Sequence, residues 1–318
     1  MHNYSKIIVD TSNVFYRVAA LHLKDLTKDN LNTYIKNNEI YKIYKSFIEK
    51  LLQSTTGEVC LLFDPLLSNG QMSERLRIKN GYKTNRDKKI PSNVLRVDVL
   101  QKLYSYYLLE PKKRLAIYHD DMYEADDFVE KLTEEGKCLL ISTDEDFCRY
   151  LEEGRVDMLI KGLTITDENI FTANQFKEKY GFNPNITSVT FWKTMYGDVS
   201  DNIVGAFTHL NTKVTVLASE YMKELLVKMG EENPPIAEMK RKLFEGTGEF
   251  SRLKELLLFS NTQVSYEKML TLMEDNFRVI ESFIPRGSDI DVEKFRAKVI
   301  FKEEDKESKK FSLSKARY

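Results

Sequence analysis

The sequence predicts an α/β fold, a mostly parallel sheet flanked by helices and followed by a helical subdomain. Three observations predict it. Short apolar runs that each stop at a carboxylate recur through the first half, longer segments with helical spacing lie between them, and strand-like runs cease beyond about Gly197. Lys6–Val9 before Asp10, Val59–Phe63 before Asp64, Leu115–Tyr118 before Asp120 and Leu139–Ser142 before Asp144 read as buried strands. Thr33–Gln53, Ser92–Leu109 and Glu124–Glu135 read as the intervening helices of an alternating β/α pattern. The second half reads as mostly helical through about Ile284, including Val214–Met229, Ile236–Phe244 and Arg252–Phe259. Lys302–Tyr318, with six basic and four acidic residues and few large apolar ones, reads as a mobile tail. In an open parallel sheet the ligand site lies outside the carboxyl ends of the strands, which is where Asp10, Asp64 and Asp144 fall.

Composition narrows the function classes. The chain has 318 residues, 42% hydrophobic and 31% charged, enough to bury a core without disulfides or structural metals. No apolar run approaches the ~20 residues of a membrane-spanning helix. Only Ile7, Ile8 and Val9 are apolar in the run near the N-terminus, too few for a signal peptide, so a cytoplasmic protein with no membrane partner is expected. Cys60, Cys138 and Cys148 are odd in number and lack metal-site spacing, which points to reduced, buried thiols.

The formal net charge of −1 hides a segregation. Arg75–Arg114 holds twelve basic and three acidic residues, whereas His119–Asp157 holds fourteen acidic and four basic ones. Two solvated charged faces would account for such blocks. Side by side, they also suit a protein that grips phosphates with one segment and holds cations with the next.

The acidic residues come in clusters: Asp10; Asp64; Glu124, Asp126 and Asp127; Asp144 and Asp146; Asp198 and Asp201. Each has a local explanation. Glu124–Asp127 suits the positive end of a helix, Asp144 suits an N-cap with Asp146 on the first turn, and Gly197–Asn202 is good turn chemistry. Only the conjunction is specific. Two like charges ~4 Å apart at an effective dielectric near 20 repel by about 4 kcal/mol, so carboxylates converging at the strand ends call for cations. An all-oxygen donor set indicates two Mg²⁺ ions, with Mn²⁺ as a substitute, and a two-ion site suits phosphodiester hydrolysis. Two other Asp-after-strand chemistries fail on inspection. Thr11 and Ser12 follow Asp10 where an aspartyl-phosphate enzyme wants a second Asp, and Val14 breaks the Asp-x-Ser-x-Ser pattern of a metal-dependent adhesion site.

In this order the motifs resemble the 5′-nuclease or flap endonuclease family, which includes the nuclease domain of bacterial DNA polymerase I and phage 5′–3′ exonucleases. The resemblance runs through Ile7–Asp10, Phe63-Asp64, Arg75, Tyr82-Lys83-Thr84-Asn85-Arg86, Tyr123–Asp127, Ile141–Asp146 and Gly197–Ile203. It implies a PIN-like core over 1–197 with a helical arch at 68–114, a helical DNA-binding subdomain at 198–285 and an extension at 286–318. It implies that Asp10, Asp64, Glu124 and Asp126 surround a first metal. Asp127, Asp144, Asp146, Asp198 and Asp201 would stand on the side of a second, some through water. Ser73–Lys89 and Ser92–Leu109 would be arch segments, with Lys83 and Arg86 on the scissile phosphate, Tyr82 stacking on a base and Arg75 on a further phosphate. Arg96 and the lysines around it are weaker candidates.

The chain departs from the family pattern after Ile203. Val204–Lys213 holds one glycine where the family carries a glycine-rich helix-three-turn-helix that binds duplex phosphates and K⁺. This puts the duplex clamp and the K⁺ site in question, with Thr212 and Lys213 still placed to contact phosphate. The expectation is therefore a stand-alone, phage-type, metal-dependent 5′–3′ exonuclease or flap endonuclease acting on DNA 5′ flaps or ends, or removing RNA primers from RNA–DNA hybrids in the manner of RNase H. A sliding clamp or single-strand-binding protein is a candidate partner. A non-catalytic nucleic-acid scaffold and a PIN-type endoribonuclease are the competing readings.

Overall fold

The four apolar runs are strands in the computed structural model, which describes residues 3–65, 91–121, 123–198, 203–209, 212–260, 263–282 and 291–297. They are β1 (Lys6–Asp10), β2 (Glu58–Phe63), β3 (Leu115–His119) and β4 (Cys138–Ile141). β5 (Val156–Leu159) and β6 (Ile170–Phe171) complete a sheet of order β3-β2-β1-β4-β5-β6, parallel except for β6. β1 to β4 are buried on both faces, which is why they read as unbroken apolar runs. β5 escapes such a reading because Asp157 interrupts it, buried and accepting a 2.9 Å hydrogen bond from Tyr4 Oη.

β1 lies in the middle, paired with β2 on one side and β4 on the other. The chain builds outward through β2 and β3, then returns to the opposite side of β1 to place β4. The carboxyl ends of β1 and β4 thus flank a topological switch point, where a crevice opens. Asp10 ends β1, Asp64 follows β2 and Asp144 lies just beyond β4.

One face of the sheet is covered by α1 (Thr11–His22), α2 (Leu31–Asn37), α3 (Glu39–Ser54) and α4 (Pro91–Leu109). Val14, Phe15, Ile48, Leu100 and Leu103 pack there on Ile7, Val9 and Leu61. The single helix expected over Thr33–Gln53 is two. Asn38 takes the left-handed conformation, φ +54°, and its N–H caps α2 on Tyr34 O, so the chain turns between α2 and α3. Of the expected arch, 66–90 lies outside the described residues. Within α4, Leu95, Val99, Leu100, Leu103 and Tyr107 are buried in the core, so that face of the helix is part of the sheet's flank.

The other face carries α5 (Val129–Thr133), α6 (Ala173–Tyr180), α7 (Ile186–Tyr196), α8 (Thr212–Glu232), α9 (Ile236–Glu245), α10 (Ser251–Ser260), α11 (Gln263–Ser282) and α12 (Val292–Phe295). One apolar cluster runs from Ile8, Cys60 and Leu140 through Phe191 and Met195 to Met222, Leu253 and Phe277. The hydrophobic core is thus continuous across the boundary expected at 197. A short hairpin, β7 (Gly197–Asp198) and β8 (Ile203–Val204), joins α7 to the later helices, so strand pairing continues past Gly197. The three cysteines are free and buried, and among the described residues no helix is long and apolar enough to cross a membrane.

Candidate active site

The site is built on the strand ends. Asp10 is both the last residue of β1 and the N-cap of α1, its Oδ1 accepting the Asn13 N–H at 3.0 Å. Its Oδ2 accepts from Ser142 Oγ at 3.1 Å, and that hydroxyl in turn accepts the Asp144 N–H at 3.1 Å. A serine at the end of β4 therefore ties the two acidic strand ends together. On the other side of β1, Asp64 accepts from Ser12 Oγ at 2.5 Å and from the Ala125 N–H at 3.0 Å. Arg96, reaching in from α4, donates to Ser12 Oγ at 2.9 Å and stands 3.9 Å from Asp64 Oδ2.

The Tyr123–Asp127 motif forms a 3₁₀ turn, Ala125–Phe128, closed by a reciprocal capping box. Asp127 Oδ2 accepts the Glu124 N–H at 2.7 Å, and the Glu124 side chain accepts the Asp127 N–H. Glu124 and Asp127 are buried in this exchange, and Asp126, half-buried, is close enough to raise the pKa values of Asp10 and Asp144.

Asp144 opens a second 3₁₀ turn, Glu145–Tyr150, its Oδ1 accepting the Asp146 N–H at 2.9 Å, as expected of an N-cap. Asp146 then meets two buried cations. Arg149 lies 3.1 Å from Oδ1, and Lys193 Nζ lies 2.5 Å from the same oxygen. Lys193 also reaches Asp198 Oδ2 at 2.7 Å. At 3% exposure Lys193 is interior, and although burial opposes its charge, the carboxylates of Asp146 and Asp198 raise its pKa and keep it an ammonium. Asp198 is presented by the β7–β8 hairpin. Gly197 there has φ +84°, and a side chain on Gly205 would meet Tyr196 O at 2.5 Å. The buried Asn276 of α11 donates to Thr194 O and Val204 O at 3.0 and 2.8 Å, pinning α7 to the hairpin.

The electrostatics differ across the crevice. The Asp10 carboxyl is pushed up to about 8, first by burial, then by Asp64 and Asp126. Asp144 is pushed up to about 7 by crowding from surrounding protein atoms and by Asp146 and Asp126, with Lys193 pulling the other way. Among the described residues no group of three or more His, Cys, Asp or Glu side chains already forms a ligand cage. The donor set nonetheless fits a hard divalent cation. Asp10, Asp64, Asp126 and Asp144 are oxygen donors whose negative charges oppose one another, the condition that such a cation relieves.

Of the residues singled out from sequence, Asp10, Asp64, Glu124, Asp126, Asp127, Asp144 and Asp146 gather at the ends of β1, β2 and β4, and Asp198 joins them through Lys193. Lys213, near the start of α8, is exposed. Arg75, Tyr82, Lys83, Arg86 and Asp201 lie outside the described residues. Sequence reasoning missed Ser12, Ser142 and Lys193. For Lys193 a signal existed, since it is the one charged residue among the eleven of α7.

The chain and its fold have counterparts among known proteins. Residues 5–181 match the family model described as 5′-3′ exonuclease, N-terminal resolvase-like domain. The chain belongs to that family, and its fold is the PIN-like fold. It is 26% identical over 204 residues to DNA polymerase I of Bacillus subtilis (strain 168), covering 63% of this chain and 21% of that protein, so it spans about a fifth of the polymerase's length. Two bacteriophage T5 structures share the fold. One is a T5 protein co-crystallised with metal ions (TM-score 0.53, 18% identity, covering 91% of this chain and 96% of that one). The other is a T5 flap endonuclease in a pseudo-enzyme-product complex with DNA and metal ions (TM-score 0.51, 17% identity, covering 91% and 96%).

Proposed function

We propose that the chain is a divalent-metal-dependent 5′ nuclease that hydrolyses phosphodiesters at DNA 5′ flaps or 5′ ends, or in RNA primers, during replication or repair. The observation that carries this reading is the gathering of Asp10, Asp64, Asp126 and Asp144 at the switch point of the sheet, where burial and mutual repulsion push Asp10 and Asp144 up. The family match, the polymerase relative and the metal- and DNA-bound T5 structures support it.

In this reading Asp10, Asp64, Asp126 and Asp144 hold Mg²⁺, or Mn²⁺ in its place. The remaining described carboxylates, Glu124, Asp127, Asp146 and Asp198, complete the acidic rim, and Asp201 is a further candidate ligand from its motif alone. When bound, such ions supply Lewis-acid stabilisation of a phosphate and lower the pKa of water. The chain's own residues do the rest. Ser12 and Ser142 orient Asp64 and Asp10 by hydrogen bonds, as outer-shell partners commonly fix ligand carboxylates. Lys193 keeps Asp146 and Asp198 together without a second acidic repulsion. Lys83 and Arg86 stabilise charge developing on the scissile phosphate, Arg75 and Lys213 bind flanking phosphates, and Tyr82 stacks on a base.

The test is cleavage of a 5′-flapped duplex labelled in turn at each end, with Mg²⁺, with chelator, and with Asp126→Ala beside wild type. Cuts near the flap junction that need Mg²⁺ and fall at least about a thousandfold in Asp126→Ala, equivalent to about 4 kcal/mol of transition-state stabilisation, are expected. Binding without cutting, on DNA and on an RNA–DNA hybrid alike, would leave a scaffold. Cutting of single-stranded RNA alone would favour an endoribonuclease.

A further inference from the structure

β3 is an edge strand, so the far side of its backbone needs a partner or a cover. The cover comes from the distant segment 291–297, beyond the residues 5–181 that the family model matches. Ala297 N–H donates to Ile117 O at 2.8 Å, and Arg296 pairs antiparallel with Tyr118. The Arg296 guanidinium stands 2.5 Å from Glu58 at the start of β2, and Val292 is buried in the large apolar cluster. These contacts strap the segment to the sheet edge.

The strap also touches the acidic turn. The Phe295 ring packs edge-on against Tyr123, centroids 5.3 Å apart, and tilted against Phe128 at 5.7 Å. Tyr123 immediately precedes Glu124, and Phe128 immediately follows Asp127. One ring from the end of α12 therefore grips both ends of the turn that carries Glu124, Asp126 and Asp127. From inside, the turn is held by the Ala125 N–H to Asp64 and by the capping box. With the inner side fixed by hydrogen bonds and the outer side by Phe295, Asp126 is held toward Asp10 and Asp144, where repulsion would otherwise push it away.

We propose that Phe295 is a positioning residue for the acidic turn, setting the affinity of the site for divalent cations from a segment outside the matched nuclease domain. The proposal rests on the metal-site reading of the crevice. Aromatic pairs of this kind contribute beyond the area they bury, and removing a partner that orients ligand carboxylates typically weakens metal affinity by about 10- to 100-fold.

The experiment compares the full chain with Phe295→Ala and Phe295→Leu by three readouts: half-saturating Mg²⁺ in flap cleavage, Mg²⁺ affinity by calorimetry, and hydrogen exchange of the Glu124, Ala125 and Asp127 amides. Phe295→Ala is expected to need about tenfold more Mg²⁺ in both metal measurements, with kcat at saturating Mg²⁺ within about twofold of wild type. Exchange should accelerate at the turn and stay unchanged in β1 and β4, and Phe295→Leu, which restores apolar volume, should recover most of each effect. A purely structural ring would instead lower the melting temperature and the active fraction while leaving Mg²⁺ dependence and turn exchange unmoved, and that result overturns the proposal. If wild type neither binds Mg²⁺ nor cleaves, the nuclease reading falls and the claim on metal affinity falls with it. Exchange at the turn then still decides whether the grip itself is real.

Discussion

Both sides of the crevice are acidic in sequence, and they differ in electrostatics. On the side of β1 and β2, Asp10, Asp64 and Asp126 face one another, and burial with mutual repulsion pushes Asp10 up. On the side of α7, Asp146 and Asp198 share the buried Lys193, and Asp146 also takes Arg149. The first side meets Arg96 at 3.9 Å from Asp64, whereas the second has the buried Lys193 and Arg149 directly against its carboxylates. An acidic cluster therefore says little about metal demand until the cations folded against it are known.

Substitutions should separate the two sides by sign. Lys193→Met is expected to destabilise by about 3–5 kcal/mol in denaturant unfolding, because it removes the buried ammonium that Asp146 and the half-buried Asp198 share. Added Mg²⁺ should stabilise this variant more than wild type, as its second side comes to behave like the first. A loss below about 1 kcal/mol would mean that solvent already screens the pair. Gly205→Ala tests how far that side depends on the hairpin. The new Cβ would come within 2.5 Å of Tyr196 O, and backbone displacement should cost about 1–3 kcal/mol in the same measurement.

The acidic side should answer to pH. Burial and neighbouring carboxylates raise the folded-state values of Asp10 to about 8 and of Asp144 to about 7, from an ordinary 3.8. The folded state therefore prefers the protonated forms, and the stability they contribute is full below about pH 4 and lost as the pH rises through 7 to 8. In chelator, the melting temperature of wild type should fall over that range relative to Asp10→Asn, and saturating Mg²⁺ should abolish the difference. The smallest expected effect is that of Asp10→Asn in chelator at pH 8, a gain on the order of 1 kcal/mol from relieved repulsion. A loss of similar size would show that the hydrogen bonds from Asn13 and Ser142 outweigh the repulsion.

Much of the sheet was legible because parallel strands buried on both faces write themselves as apolar runs, and these runs ended at the carboxylates that mark the site. β5 was hidden by Asp157, whose partner Tyr4 lies 153 residues away. The break at Asn38 was hidden because helical periodicity runs through it, while the left-handed turn belongs to a single residue. The acidic residues of the crevice were legible one by one, and so were their alternative duties as caps. Asp144 and the Glu124/Asp127 pair do serve as caps, and they do so inside the candidate site.

By itself, the sequence determined the layer order, the strands that end in aspartate and the family to which those motifs belong, since backbone periodicity and short motifs are local properties. Only the tertiary structure decided which carboxylates meet a cation of the chain. It set Lys193 between Asp146 and Asp198, brought Arg96 to Ser12 and Asp64, and laid Phe295 against the acidic turn from 167 residues beyond Phe128. Electrostatic and packing energies depend on distances through space, and chain separation does not reveal those distances until the fold has closed.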